Sequence, residues 1–180
     1  MWNKPDLWNA LLKDAPAGSV LMGGAIRDFY WGYEAKDYDI FYRYKPGVPE
    51  IEGWKYIPRE PPVEGIDPEY DIQALNGTNP IGCVYDYDVS IADHIHRVQL
   101  VGVHYTNPMD HFANFDHSLT LGIWDKQGLF LHKKLVMSFE NKTVECLNHS
   151  NPQKSMARAT AVIKRLSPYG GVDHWKFLNF

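Results

Sequence analysis

Two aspartates separated by a single residue give this sequence its clearest chemical feature. Asp37 and Asp39 lie in the segment KDYDI, residues 36–40, among apolar and aromatic neighbours. Because side chains alternate between the two faces of a β-strand, both carboxylates are expected on one face. Two carboxylates that close repel each other unless a cation lies between them. Carboxylate oxygens suit Mg²⁺ and Mn²⁺, so the pair predicts a site for one of these ions.

A pair of glycines precedes the aspartates. Gly23 and Gly24 follow a short apolar run, and a helix-compatible segment over residues 25–31 comes next. Glycine lets the backbone approach a ligand closely, and a helix N-terminus presents N–H groups and a positive dipole end to an anion. The order of strand, glycine pair, helix and Asp-x-Asp strand therefore predicts a phosphate cradle with a metal clamp. An ordinary turn with two surface aspartates is the alternative, and the combined spacing favours the functional interpretation.

The stretch also resembles a known family. GGAIRD, residues 23–28, followed by KDYDI resembles the head-domain signature of polymerase-β-type nucleotidyltransferases. It is most similar to the signature of bacterial-type tRNA CCA-adding enzymes and poly(A) polymerases. The resemblance implies an α/β (α+β) nucleotidyltransferase fold, with a mixed, mostly antiparallel central sheet flanked by helices. The residues that match the pattern are Gly23, Gly24, Arg27, Asp28, Lys36, Asp37 and Asp39.

The implied reaction is transfer of a nucleoside monophosphate from a nucleoside triphosphate, the substrate, to an acceptor. Asp37 and Asp39 would be the catalytic metal ligands for Mg²⁺ (or Mn²⁺), and Gly23 and Gly24 would bind the triphosphate. Two metal ions can activate the attacking oxygen and stabilise the leaving pyrophosphate in such a displacement. The acceptor is left open between an RNA 3′ end, including a tRNA-like one, a protein and a small molecule.

Three charged residues near the glycine pair have more than one interpretation. Arg27 either contacts phosphate or holds its helix against the sheet. Asp28 is expected to be structural, bonded to Arg27 or to a loop amide. Lys36 either neutralises charge beside the metal site and binds phosphate, or is an ordinary solvated lysine.

Two later segments resemble further family signatures. FDHSLTLGIWDKQGLFLHKKLVMSFENKTVECL, residues 115–147, is similar in layout to the family's second motif, although the dipeptide is Phe-Asp instead of Asp-Phe. SMARATAVIKRL, residues 155–166, resembles a helix that supplies arginines to the nucleotide phosphates. Arg158 matches that helix, and Lys164 and Arg165 either replace its second arginine or are solvated charges. The family's neck, body and tail have no counterpart in the sequence, which predicts a minimal, head-only form such as a phage would encode.

The family's third carboxylate has no obvious counterpart. The strand expected to carry it, RVQLVGV, residues 97–103, has Gln99 in its place. Asp116 is the preferred replacement and completes the predicted catalytic set, because it would share a strand face with two following hydroxyl residues. If no replacement exists, the chain is a slow enzyme or a nucleotide binder without transfer activity. The other two alternatives are Asp93 and Asp88.

Two other groups of residues compete with Asp37 and Asp39 as metal sites. A second Asp-x-Asp, Asp86 and Asp88, lies in the strand-like segment CVYDYDV but lacks a glycine pair and helix. Histidines in DHIH, residues 93–96, and at three later positions could bind Zn²⁺ together with carboxylates. No HExxH or paired CxxC spacing supports zinc, so surface or core histidines are the favoured interpretation.

Size and composition are those of a small globular protein. The chain has 180 residues, of which 44% are hydrophobic, and a single domain over residues 1–180 is expected. Its net charge of −4 argues against a free-standing nucleic-acid coat protein, but not against RNA in a local basic groove. Cys83 and Cys146 are expected to be reduced thiols in a cytoplasmic protein. No apolar run reaches the roughly 20 residues of a membrane span, so no membrane partner is expected.

The hydrophobic periodicity and the positions of Gly and Pro predict the remaining helices, strands and loops. A long excursion is expected over residues 45–68, and a C-terminal helical segment over residues 152–180. The predicted helices cover residues 7–13 (capped by Asp6), 25–31, 109–115 and 153–166, with a further short helix within 70–80. The predicted strands cover residues 19–22, 38–44, 83–89, 97–103, 118–124 and 129–132.

Overall fold

The structure is a computed structural model that describes residues 4–59, 81–147, 149, 151–167 and 174–180. Its helices are α1 (Lys4–Asp14), α2 (Gly24–Trp31), α3 (Lys133–Asn141) and α4 (Pro152–Leu166), and 3₁₀ helices cover Pro108–Asn114 and Ser118–Thr120. Its strands are β1 (Val20–Met22), β2 (Tyr38–Arg43), β3 (Trp54–Ile57), β4 (Ile81–Ile91), β5 (His94–Val103), β6 (Gly122–Asp125), β7 (Gly128–Leu131), β8 (Thr143–Glu145) and β9 (Lys176–Leu178).

The chain divides into two compact units, and the first contains the described residues of Met1–Leu21 and Asp37–His111. Its strands have the order β3-β4-β5-β2-β1. β2 and β5 are parallel, whereas β1–β2, β3–β4 and β4–β5 are antiparallel. The second half of β5 is fully buried, as the continuous apolar run RVQLVGV predicts.

Helix α1 contributes an apolar stripe to the first unit. Leu7, Trp8, Leu11 and Leu12 are buried, at the spacing of one helix face. The helix begins at Lys4, so Asp6 lies inside its first turn. The prediction that Asp6 caps this helix is therefore wrong, although a carboxylate in the first turn still favours the helix dipole.

A two-residue turn joins the long strands β4 and β5. Ala92 and Asp93 both have positive φ, 51° and 64°. Two such residues give a hairpin turn whose twist matches that of the strands. Asp93 therefore lies at the tip of the hairpin, away from the middle of the sheet.

The second unit contains the described residues of Met22–Lys36 and Phe112–Phe180. It holds helices α2, α3 and α4, the antiparallel hairpin β6–β7 and the parallel pair β8–β9. Helix α4 begins where the side chain of Asn151 accepts a hydrogen bond from the backbone N–H of Lys154, with Pro152 in the first turn. Buried residues of its core cluster are Leu119, Val144, Ala159, Ile163 and Trp175.

The predicted fold class, a mixed and mostly antiparallel sheet flanked by helices, is confirmed. The expected strand over residues 118–124 is wrong in its first half, because Ser118–Thr120 form a 3₁₀ helix. Within the expected excursion, Trp54–Ile57 form β3, and residues 60–80, including the predicted short helix, lie outside the described residues. The segment 152–180 contains α4 and, further on, β9.

Two further findings concern the cysteines and the lengths of the helices. Cys83 is half-buried and Cys146 is buried, and both are free thiols. Within the described ranges, every helix is too short or too polar to cross a bilayer.

Candidate functional site

The two aspartates lie where β2 begins. Asp37 directly precedes the strand and Asp39 is its second residue, and both side chains are half-buried. Tyr38 and Ile40, which alternate with them, are buried. Asp39 therefore points to the face opposite that of Tyr38 and Ile40, and continuation of the alternation to Asp37 would direct both carboxylates to one face. Their assignment as metal ligands and catalytic residues stays a prediction.

A row of polar residues crosses the sheet at Asp39. In the parallel pairing of β2 with β5, Asp39 lies opposite Gln99, and in the antiparallel pairing of β5 with β4, Gln99 lies opposite Asp86. Gln99 is only 7% exposed. The residue next to Asp39 on the neighbouring strand is thus a neutral amide, as the sequence indicated. The next carboxylate in this row is that of Asp86, one strand further away.

Both carboxylates of the second Asp-x-Asp motif, Asp86 and Asp88, accept hydrogen bonds from arginines. Asp86 accepts two hydrogen bonds from Arg59, at 2.6 Å from Nε and 3.0 Å from Nη2. Asp88 lies opposite Arg97 and accepts a hydrogen bond from its Nε at 2.9 Å. Such charge-assisted bonds satisfy the carboxylates without a metal ion. This arrangement favours a structural role for Asp86 and Asp88.

Asp93 and Asp116 are the other two candidates for a third carboxylate. Asp93 at the hairpin tip is six residues from Gln99 along β5, which corresponds to about 20 Å of strand. Asp116 forms an ion pair with Arg158 in the second unit. Its predicted strand face is wrong, because Ser118–Thr120 form a 3₁₀ helix directly after it. Among the residues that the structure describes, no group of three or more His, Cys, Asp or Glu side chains is arranged to hold a metal ion.

The glycine pair opens helix α2 in the second unit. Gly23 has φ 93° and ψ −133°, and no side chain caps the helix. Only glycine adopts this backbone conformation without strain. Gly24 is the first residue of α2, and the first turn of a helix leaves several N–H groups without partners inside the helix. The N–H of Gly23 itself donates to the carbonyl oxygen of Gly122 at 3.0 Å, so this N–H is not available to bind phosphate.

Gly122 is a residue that sequence reasoning missed. A Cβ at this position would lie 2.4 Å from Cγ2 of Ile26 on α2. Only glycine at the beginning of β6 therefore lets α2 approach closely enough for the Gly23–Gly122 hydrogen bond. The available signal was a single glycine inside the alternating run SLTLGIW.

Arg27 and Arg165 both bond to the buried carboxylate of Asp28, and Arg165 itself is partly exposed. The carboxylate Oδ1 of Asp28 accepts a hydrogen bond from Nε of Arg27 at 2.8 Å. Its Oδ2 accepts one from Nη2 of Arg165 at 2.6 Å. The predicted bond between Arg27 and Asp28 is confirmed. The contact with Arg165 joins residues 137 positions apart and has no sequence signal.

A second cationic contact lies at Arg158. Its guanidinium donates to Asp116, and the side chain remains 45% exposed. Burial, followed by the positive charges of Arg158 and Arg27, lowers the pKa of His117 to about 3. The imidazole is therefore neutral at pH 7, and its Nδ1 has no hydrogen-bond partner among the described residues. Arg27 and Arg158 thus both act on one buried residue.

The remaining predicted cations are exposed. The side chains of Lys36, before β2, and Lys164, on α4, are solvent-exposed. Their assignment to phosphate binding stays a prediction, as does that of Arg158.

His111 is a second buried histidine, in the first unit. Its ring stacks on Phe41, with ring centroids 5.2 Å apart, and burial lowers its pKa to about 4. Phe41 follows Asp39 by two residues on β2, so both point to the same face. The ring of His111 thus packs on the apolar part of the sheet face to which Asp39 points.

Comparisons with known proteins give distant structural similarities. The sequence matches no family model and no curated protein sequence. A structure described as a tRNA-processing enzyme in apo form I is 13% identical, with a TM-score of 0.49, over 98% of this chain and 42% of that one. A tRNA-processing enzyme complex is 14% identical, with a TM-score of 0.44, over 97% and 43% of the two chains. A CCA-adding enzyme with CTP is 10% identical, with a TM-score of 0.47, over 96% and 36%. The chain thus spans less than half the length of these proteins.

Proposed function

We propose that this chain is a metal-dependent nucleotidyltransferase that transfers a nucleoside monophosphate from a nucleoside triphosphate to an acceptor and releases pyrophosphate. The observation that carries the proposal is the placement of Asp37 and Asp39 at the beginning of β2, where both side chains are half-buried. The motif resemblance that includes both aspartates gives the reaction class.

The donor set fits Mg²⁺ or Mn²⁺. Asp37 and Asp39 offer hard oxygen ligands, and an ion that binds through one or two carboxylates takes further oxygens from substrate phosphates. These two residues would hold the cation. When bound, such an ion neutralises phosphate charge and makes the acceptor oxygen more nucleophilic.

The second unit supplies groups suited to a triphosphate. Helix α2 begins without a side-chain cap, so its first turn offers backbone N–H groups and a positive dipole end. The guanidinium of Arg27 lies beside Gly24, and Arg158 keeps a substantially exposed side chain. In the proposed reaction these groups bind the phosphates of the nucleoside triphosphate.

The acceptor is proposed only as a class. An RNA 3′ end follows from the motif resemblance, and a protein or a small molecule is compatible with the net charge of −4. Free thiols at Cys83 and Cys146 are consistent with a reducing, cytoplasmic compartment.

The test is incubation of the pure protein with each labelled NTP, Mg²⁺ or Mn²⁺, and a panel of RNA, protein and small-molecule acceptors. Pyrophosphate release that is lost in Asp39→Asn and kept in Asp88→Asn supports the proposal. Asp88 is the matched control, because it lies in the other Asp-x-Asp motif and is bonded to Arg97.

The position of Gln99 favours a second candidate, a nucleotide-binding or adaptor protein that lacks transfer activity. Gln99 lies opposite Asp39 on the neighbouring strand and cannot supply a negative charge. Nucleotide binding without pyrophosphate release, across the whole acceptor panel, would favour this candidate over the enzyme.

A further inference from the structure

Asp28 is bonded to two arginines that come from distant parts of the chain. Its side chain is 2% exposed, and each of its oxygens has its own guanidinium partner, Arg27 at Oδ1 and Arg165 at Oδ2. Charge-assisted hydrogen bonds are directional and roughly twice as strong as neutral ones. The two bonds therefore fix the orientation of the carboxylate.

The same network fixes Arg27 beside the beginning of α2. Its Nη2 lies 3.2 Å from the position that a Cβ on Gly24 would occupy. The guanidinium thus folds back along its own helix to the residue at which that helix begins. An arginine side chain has many rotamers, so it stays in one place only when its partners hold it there. Asp28 is the described partner that holds Nε and Nη2 of Arg27.

We propose that Arg165 is a positioning residue for triphosphate binding, which acts through Asp28 on the guanidinium of Arg27 and does not itself contact phosphate. The inference rests on the proposed function and deepens it. If Arg165 is removed, Oδ2 of a buried carboxylate loses its partner, which is costly. The carboxylate then turns to share Arg27 between both oxygens and draws the guanidinium away from Gly24.

Binding of inorganic tripolyphosphate tests this inference, because every NTP carries this group whatever its base. We expect Arg165→Ala to weaken binding about tenfold, as is typical when the partner of a ligand-binding side chain is removed. Arg165→Lys keeps a cation within reach of Asp28 and should bind within about threefold of the wild type. Lys154→Ala removes one positive charge from the other end of α4 and is the matched control, with unchanged binding.

A mutant cycle separates an indirect role from a direct one. If Arg165 acts through Arg27, then Arg165→Ala has no further effect in an Arg27→Ala background. If Arg165 contacts phosphate directly, the two losses add, and the inference is overturned. Circular dichroism melting checks that each variant is folded, and Arg165→Met, which keeps the aliphatic stem without the guanidinium, replaces Arg165→Ala in the cycle if that variant does not fold.

The outcomes also separate this inference from the proposed function. If the wild type does not bind tripolyphosphate, the proposed function and this inference both fail. If the wild type binds and Arg165→Ala binds equally well, only the role of Arg165 is overturned.

Discussion

Asp39 on β2 lies directly opposite Gln99 on β5, in a parallel pairing that continues from Tyr38 to Arg43. Side chains opposite each other in a sheet point to the same face. A buried amide is therefore the immediate neighbour of one of the two proposed metal ligands. Among the described residues, the proposed acidic site therefore has no carboxylate at this neighbouring position, and position 99 is where one can be introduced.

We expect Gln99→Asp to create a stronger metal site. The additional carboxylate repels Asp39 in the absence of a cation and is stabilised when one binds. In EDTA the variant should therefore melt at a lower temperature than the wild type. Millimolar Mg²⁺ should raise the melting temperature of the variant by more than it raises that of the wild type. If the protein is a slow enzyme, pyrophosphate release should increase about tenfold or more, which is ~1.4 kcal/mol of transition-state stabilisation.

Gln99→Asn is the matched control for that substitution, because it has the same size as aspartate without the charge. It should show no additional Mg²⁺ dependence. A Gln99→Asp protein with the melting behaviour of Gln99→Asn would show that position 99 does not share a metal site with Asp39.

Gly122→Ala should destabilise the protein by about 1–3 kcal/mol, the usual cost of overpacking. The added methyl would lie 2.4 Å from Cγ2 of Ile26, so α2 must move away from β6. Movement of α2 also disturbs the Gly23–Gly122 hydrogen bond, so tripolyphosphate binding should weaken. Chemical denaturation measures the first effect and a binding titration the second.

A second substitution checks the cause. In an Ile26→Ala background the clash with the side-chain methyl groups is absent, so Gly122→Ala should cost less than in the wild type. Equal cost in both backgrounds would show that the contact with Ile26 does not explain the requirement for glycine.

Stability should decrease as the pH falls below about 6.5, because two buried histidines resist protonation. The pKa of His117 is lowered to about 3 and that of His111 to about 4, mainly by burial. Below pH 6.5 the unfolded chain therefore binds protons that the folded chain does not. Each histidine contributes a slope of about 1.4 kcal/mol per pH unit until the pH reaches its folded pKa.

Replacement of one histidine tests this origin. Between pH 6 and pH 4.5, His117→Gln should reduce the slope of the unfolding free energy against pH by about 1.4 kcal/mol per pH unit, the contribution of one proton. His111→Gln should do the same. Urea denaturation at several pH values gives the slope independently of any loss in overall stability. A slope that is unchanged in both variants would assign the acid sensitivity to other groups.

The sequence was sufficient to predict the features that depend on local chemistry. The half-buried position of Asp39 between the buried Tyr38 and Ile40 follows from the two-residue period of a strand, and the beginning of α2 follows from the glycine pair. The buried character of the second half of β5 follows from its apolar run. Each of these signals lies within a few residues of the feature it predicts.

Other features depend on contacts that the sequence does not encode locally. The alternating residues 118–120 resemble a strand, but Thr120 Oγ1 donates to the carbonyl of His117 and stabilises a 3₁₀ turn. The bond from Arg165 to Asp28 spans 137 positions, and an arginine on an exposed helix face gives no indication of its partner. The pairing of Asp86 with Arg59 likewise requires the register of β3 and β4.

Pyrophosphate release by wild type and Asp39→Asn, measured with Mn²⁺, each NTP and an RNA 3′ end as acceptor, tests the central claim most directly. We expect release by the wild type and a loss of at least a hundredfold in the variant. In EDTA the variant should melt no lower than the wild type, because the substitution removes the repulsion between two neighbouring carboxylates. Equal release by both proteins would contradict the assignment of Asp39 to the metal site, and with it the proposed reaction.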